Sequence, residues 1–167
     1  MTTQHEARAL IVVESYWGNT AALAEAMADG LRSASIDTAV VAAADAPRVI
    51  GTEITHLLIG APTHNMSLPS PASRRMAATR GVEADRIGVR EWIEELHFDG
   101  APAIYAFDTH TSKYSGSAAR AITKLLRRRR IGVQGSGQFL VAGDPPALVS
   151  GELQRAGSWA AGLAASR

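Results

Sequence analysis

Short apolar segments alternate with helix-forming segments along this chain, and this alternation is the feature that most restricts its fold. Apolar runs predict strands at residues 10–13, 36–41, 56–60 and 103–107. A last strand is predicted in two pieces, residues 131–134 and 138–141, because Gly135, Ser136 and Gly137 separate them. The runs at residues 10–13 and 56–60 are apolar throughout, which is typical of strands covered on both faces of a parallel sheet.

Helices are predicted between these strands, where apolar residues recur at three- and four-residue steps. They cover residues 19–33, 88–96, 117–130 and 150–164. A short helix is also predicted from Asp45 to about Ile50, since Asp45 is a capping residue and Pro47 suits a first turn. The alternation predicts an α/β fold, a three-layer sandwich on a five-stranded parallel sheet. Without a repeat or linker, residues 1–167 are expected to form a single domain.

The segment from residue 62 to residue 86 breaks the alternation. It contains several prolines and a set of arginines, namely Arg74, Arg75, Arg80 and Arg86. A connection of this length in a compact domain is often functional or mobile. The arginines either belong to a flexible surface loop or attract an anionic donor or partner, and both readings stay open.

Composition narrows the classes of function. The formal net charge is +1, which gives no reason to expect nucleic acid or a membrane as partner, and the absence of cysteine excludes thiolate catalysis. We expect no metal site, because the five histidines lack local ligand spacing. The basic run at residues 127–130 is interpreted as a solvated helix end rather than a nucleic-acid patch. No apolar run approaches membrane-spanning length, so a cytoplasmic location is expected.

The first strand is followed by a loop suited to binding an anion, which we call the 15–20 loop. Its residues are Ser15, Tyr16, Trp17, Gly18, Asn19 and Thr20. The first N–H groups of the following helix are free to bind phosphate, and Gly18 lets the backbone come close. No Lys or Arg lies between Arg8 and Arg32, so neutral donors are expected to hold the anion. The alternative is an ordinary turn capped by Ser or Asn.

Three loops together resemble the flavodoxin family. The 15–20 loop is similar to that family's phosphate loop, and Gly60-Ala61-Pro62-Thr63-His64 is similar to the start of its first ring-binding loop. Phe107-Asp108-Thr109 resembles the start of the loop on the far side of the ring. The resemblance implies the strand order 2-1-3-4-5 and a bound flavin mononucleotide (FMN), with its phosphate on the 15–20 loop. It also implies two sets of ring-binding residues: Pro62, Thr63, His64, Asn65 and Met66, and Asp108, Thr109, His110 and Tyr114.

The sequence departs from the family pattern in its net charge of +1, since the family's electron carriers are strongly acidic, and at two points in the loops. Trp17 stands where the family usually has a hydroxyl, and the first ring loop lacks the family's glycine, so Asn65 is expected to take a positive φ. The resemblance implies electron transfer with a redox partner protein or a small-molecule donor or acceptor, and no catalytic side chain. Two alternatives remain: an FMN-dependent NAD(P)H or quinone reductase, and a binding or scaffold domain that no longer holds flavin.

Overall fold

The computed structural model describes residues 6–81 and 87–165. Its strands are β1 (Arg8–Val13), β2 (Asp37–Ala42), β3 (Val49–Ile50), β4 (His56–Pro62), β5 (His97–Phe98), β6 (Ala103–His110), β7 (Gly135–Ala142) and β8 (Ala147–Leu148). Its helices are α1 (Asn19–Ser33), α2 (Pro71–Thr79), α3 (Val89–Glu95), α4 (Ala118–Arg128) and α5 (Glu152–Leu163).

The main sheet confirms the predicted parallel α/β architecture and corrects its strand count. Its order is β2-β1-β4-β6-β7-β8, and the first five strands are parallel in the predicted order 2-1-3-4-5. The sixth strand, β8, pairs antiparallel with β7, so the sheet has six strands rather than five. The carboxyl ends of β1, β4 and β6 therefore lie side by side at one edge of the sheet.

Helices cover both faces of the sheet. Successive strand residues point to opposite sides, so the apolar strands present side chains for packing on each face. On one face, Trp92 of α3 and Ile122 of α4 pack in a cluster with Ile59 of β4. On the other face, Leu23 of α1 and Ala160 of α5 belong to a cluster that includes buried residues of β1, β6 and β7. This arrangement is the three-layer sandwich that the alternation predicts.

Two predicted elements are wrong. The predicted helix at residues 45–50 is instead a 3₁₀ turn, Ala43–Asp45, followed by β3, which pairs with β5 in a separate small sheet. The predicted interrupted strand is one continuous strand, β7, and residues 131–134 form no strand. Gly137 lies inside β7 because a Cβ there would come 3.1 Å from the Trp159 ring, so glycine permits close packing rather than breaking the strand.

The segment predicted as a long loop at residues 62–86 contains a helix, α2. Ser70 caps it, accepting a hydrogen bond from the Ser73 N–H at 3.2 Å, and Pro71 occupies its first turn. Residues 71–79 are therefore helical rather than part of a loop. Arg86 lies outside the described residues.

Across residues 6–81 and 87–165, no helix combines the length and the apolar character needed to cross a membrane.

Candidate functional site

A cleft of about 310 Å³ opens where the strands end. This is the edge at which open parallel sheets bind ligands, and the volume lies in the range of small-molecule sites. Ten of its lining residues are predicted site residues: Ser15, Tyr16, Trp17, Asn19, Thr20, Pro62, Thr63, His64, Thr109 and His110. The structure therefore brings all three predicted loops to one cavity.

The 15–20 loop presents backbone donors to this cleft. Gly18 has φ 83°, in the left-handed region, and α1 begins directly after it. The Ala21 N–H donates to Ser15 Oγ at 3.3 Å and the Ala22 N–H to the Gly18 carbonyl at 2.9 Å. In the described part of the chain the N–H groups of Asn19 and Thr20 have no hydrogen-bond partner. Two amides at the positive end of a 15-residue helix are thus available to an anion.

Side chains fix this loop to neighbouring elements. Asn19 Nδ2 donates to the Pro146 carbonyl at 2.8 Å, which ties the loop to the turn between β7 and β8. The Thr20 hydroxyl lies 3.4 Å from the Thr109 hydroxyl at the end of β6. Thr20 is almost fully buried and lines the cleft.

A buried network of charged side chains, formed by Glu14, Arg74 and Glu91, contacts the 15–20 loop through Tyr16. The Glu14 carboxylate, directly after β1, accepts hydrogen bonds from Arg74 Nε at 3.0 Å and from the Val89 N–H at 2.9 Å. The Arg74 guanidinium also binds both carboxylate oxygens of Glu91 in α3. Tyr16 donates its hydroxyl proton to Glu14 at 2.8 Å. Burial first, and then the Glu14 charge, raise the pKa of Tyr16, so this phenol stays protonated at neutral pH.

The second predicted loop forms a tight turn. His64 and Ser67 exchange two backbone hydrogen bonds, and the residues between them, Asn65 and Met66, have φ of 48° and 67°. The expected positive φ at Asn65 is confirmed, and two consecutive positive values are characteristic of a type I′ turn. The His64 ring lies edge-on to Tyr16, with 4.7 Å between ring centroids. Burial lowers the pKa of His64, so its imidazole is neutral at pH 7.

Gly60, the first residue of the Gly60–His64 motif, is needed for packing. A Cβ on Gly60 would lie 2.1 Å from the ring of Phe107, the residue that it pairs with on β6. Only glycine leaves room for this aromatic ring beneath the cleft.

Asp108 lies in the core instead of facing the cleft. It is completely buried, and its Oδ2 accepts hydrogen bonds from the Ser117 hydroxyl and from the Ala119 N–H at the start of α4. Its Oδ1 lies 3.3 Å from His110 Nδ1, and this pair makes no well-aligned hydrogen bond. Burial raises the pKa of Asp108, against the hydrogen bonds that lower it. Its evident role is to hold the end of β6 against α4.

The remaining predicted residues lie at the rim. Met66 and Tyr114 are 68% and 78% exposed, and Asn65 lines a neighbouring cavity rather than the cleft. Met66 is bridged to Gly116, where a Cβ would meet the Met66 carbonyl oxygen at 2.2 Å. None of these three side chains lines the cleft.

Six further residues line the cleft. Sequence analysis left the role of Arg80 open and did not single out Thr111, Val141, Gly143, Asp144 or Pro146 as site residues. Arg80, just after α2, places its guanidinium carbon 5.6 Å from the Trp17 ring centroid and donates to Asp144 Oδ1 at 2.8 Å. The prediction that neutral donors hold an anion at this loop stays a prediction, and the structure adds a cation, Arg80, beside the loop. The turn at residues 143–146 was predictable as a contributor, because it follows the last parallel strand at the same edge of the sheet.

A second cavity of about 270 Å³ adjoins the cleft. It shares Trp17, His64 and Arg80 with the first cavity, and Met76 and Ala77 of α2 add apolar surface to it. The folding of residues 71–79 into a helix creates this cavity.

No family model matches this chain, and no curated protein matches its sequence. Solved structures do match it. The Streptococcus pneumoniae TIGR4 flavodoxin has a TM-score of 0.63 and 18% identity, covering 96% of this chain and 100% of that one. The two-electron reduced Megasphaera elsdenii flavodoxin has a TM-score of 0.59 and 18% identity, covering 92% and 98%.

A longer protein also contains this fold. The flavodiiron protein from Giardia intestinalis has a TM-score of 0.58 and 16% identity, covering 96% of this chain and 36% of that one. The chain therefore has the flavodoxin-like fold, which confirms the architecture implied by the three motifs.

Proposed function

We propose, from the premise of a flavodoxin-like fold, that this protein binds FMN in the cleft and takes part in electron transfer. The observation that carries the proposal is the pair of unpartnered N–H groups, on Asn19 and Thr20, at the mouth of a cleft that both other predicted loops reach. A phosphate monoester matches this donor set, because it offers acceptor oxygens and negative charge to a helix N-terminus. FMN would supply the redox chemistry.

The chain's own residues would divide the work of binding. The loop amides and the Thr20 hydroxyl would hold the phosphate, and Gly18 would allow its close approach. Pro62, His64 and His110 line the cleft, so they would position the ring system and exclude water from it. No side chain needs to act as acid, base or nucleophile for electron transfer.

The decisive measurement is flavin binding by the purified protein. We expect either flavin absorbance in the isolated protein or stoichiometric quenching of added FMN fluorescence. Thr20→Ala should weaken FMN binding about tenfold, the effect of losing one hydrogen bond to a charged group. Thr123→Ala is the matched control, because its hydroxyl bonds the Ala119 carbonyl in α4, outside the cleft lining. If wild type neither carries nor takes up flavin, the cofactor proposal fails.

The second cavity favours a second candidate, an FMN-dependent NAD(P)H or quinone reductase. Such an enzyme needs room for a small substrate beside the cofactor, and this cavity meets the cleft at Trp17, His64 and Arg80. Steady-state oxidation of NADH and NADPH by the FMN-loaded protein, with and without a quinone, tests the idea. Turnover would favour a reductase, and its absence together with rapid electron exchange with a redox protein would favour a carrier.

The third possibility, a binding or scaffold domain without flavin, is decided by the same flavin titration. Of the two departures that motivated it, one has a structural answer, since Asn65 does adopt a positive φ. The other is Trp17, whose position beside Arg80 leads to a further inference.

A further inference from the structure

Two charged residues face each other within the cleft. Arg80 follows α2 and Asp144 lies in the turn between β7 and β8, and their side chains form an ion pair at 2.8 Å with 58% and 80% exposure. Both line the same cavity as the 15–20 loop. The remaining described residues that line the cleft carry no fixed charge. Among the residues that the structure describes, the cleft therefore contains one permanent cation and one permanent anion, paired with each other.

Trp17 keeps the cation beside the 15–20 loop. The Arg80 guanidinium lies over its indole ring, 5.6 Å from the ring centroid, within the distance of a cation–π contact. A hydroxyl at this position would offer an anion one neutral hydrogen bond. Trp17 instead offers a ring on which the Arg80 guanidinium packs. The same residue that departs from the family pattern brings a positive charge to the loop.

An Arg80–phosphate interaction would be stronger than the Arg80–Asp144 ion pair and would replace it. Exposed pairs between side chains contribute little to stability, because water screens them and ordering two long chains is costly. Arg–phosphate hydrogen bonds are charge-assisted and can be bidentate, which makes them stronger. A phosphate dianion at the loop amides would also be repelled by Asp144 unless Arg80 moved towards it.

We propose that Arg80 is the charged phosphate partner of this site and that Asp144 is its counter-ion when the site is empty. The proposal rests on the proposed function and makes it more specific: the site selects ligands with a phosphate monoester over the same ligands without one. Arg80 acts as a specificity residue, and Trp17 as its positioning residue.

The test compares FMN with riboflavin, which has the same ring and ribityl chain but no phosphate. Isothermal titration should show that Arg80→Ala weakens FMN binding about tenfold and leaves riboflavin binding unchanged. Arg75→Ala is the matched control, because Arg75 is exposed on α2 and does not line the cleft, and it should change neither affinity. Asp144→Asn should strengthen FMN binding up to about fivefold, because Arg80 is then free for the phosphate.

Salt provides an independent readout. Raising ionic strength should weaken FMN binding to wild type more than to Arg80→Ala, since screening acts on the charge that the variant lacks. If Arg80→Ala weakens FMN and riboflavin equally, Arg80 acts only through packing on Trp17, and the proposal is overturned. If the variant changes neither affinity, the proposal is overturned while the flavin proposal stands.

Inorganic phosphate separates the two proposals when wild type binds no FMN. Thermal stabilisation by phosphate of wild type and Arg75→Ala, but not of Arg80→Ala, would retain Arg80 as the anion partner and reject flavin as the ligand. Absence of any response to phosphate and FMN in wild type would overturn both.

Discussion

Replacing Arg74 with methionine should destabilise the fold strongly, because Arg74 balances two carboxylates beneath the site. The side chains of Arg74 and Glu14 are each only 6% exposed, and that of Glu91 is 26% exposed. Methionine keeps much of the volume but leaves both carboxylates without their cation. Removing one partner of a buried ion pair costs about 3–5 kcal/mol. Glu14 retains the Val89 N–H, so we expect about 3 kcal/mol, or a fall in Tm of about 6–12 °C.

Urea denaturation of Arg74→Met at pH 7 measures this loss, and Arg75→Met is the control. Arg75 is exposed on the same helix, so its replacement should change stability by less than about 0.5 kcal/mol. Adding Glu14→Gln to Arg74→Met should recover part of the loss, because it removes the more deeply buried of the two carboxylates that lost their cation and leaves only that of Glu91. Glutamine can still accept the Val89 N–H.

The difference in stability between wild type and Arg74→Met should shrink as the pH falls. Burial raises the pKa of Glu91, but hydrogen bonds from Arg74 outweigh it, so the net pKa is lowered. A lowered folded-state pKa contributes stability above the unfolded value, about 4.3, and that stability is lost as pH falls through the folded value. Wild type and Arg74→Met should therefore converge in stability below about pH 4. A loss under about 1 kcal/mol at pH 7, or a further loss on adding Glu14→Gln, would refute this account of the network.

Two further predictions concern Asp108 and the contact between α1 and α5. Burial raises the folded-state pKa of Asp108, so its contribution to stability is present below the unfolded value and is lost as pH rises through the folded one. Thermal unfolding of Asp108→Asn between about pH 4 and pH 7 should show a smaller decline than wild type, and an identical slope would contradict the assignment. Gly30→Ala should cost about 1–3 kcal/mol in urea denaturation, because its Cβ would lie 2.2 Å from the Gly157 carbonyl oxygen. Gly162→Ala, in open space within α5, should instead stabilise by about 0.5–1 kcal/mol; equal effects would argue against a close helix contact at Gly30.

Local patterns in the sequence were enough to predict the architecture and the meeting of three loops. Periodicity identifies strands and helices, and parallel strands necessarily bring their carboxyl ends to one edge. The 15–20 loop and residues 62–64 therefore reach the cleft as predicted. The errors fall where local signals conflict. A proline after a capping residue indicated a helix, whereas pairing with β5 made residues 49–50 a strand.

Tertiary structure alone decided which polar groups face the cleft and which support it. Asp108 and His110 are two residues apart on β6, yet Asp108 caps α4 while His110 lines the cavity. Arg80 and Asp144 are 64 positions apart, and nothing in either neighbourhood indicates that they form a pair across the site. The physical reason is that periodicity reports which face a residue occupies, whereas the partner of a charge depends on how distant elements pack. The sequence by itself thus determined that the 15–20 loop lies between a strand and a helix at the edge of the sheet, and only the folded chain placed a cation beside it.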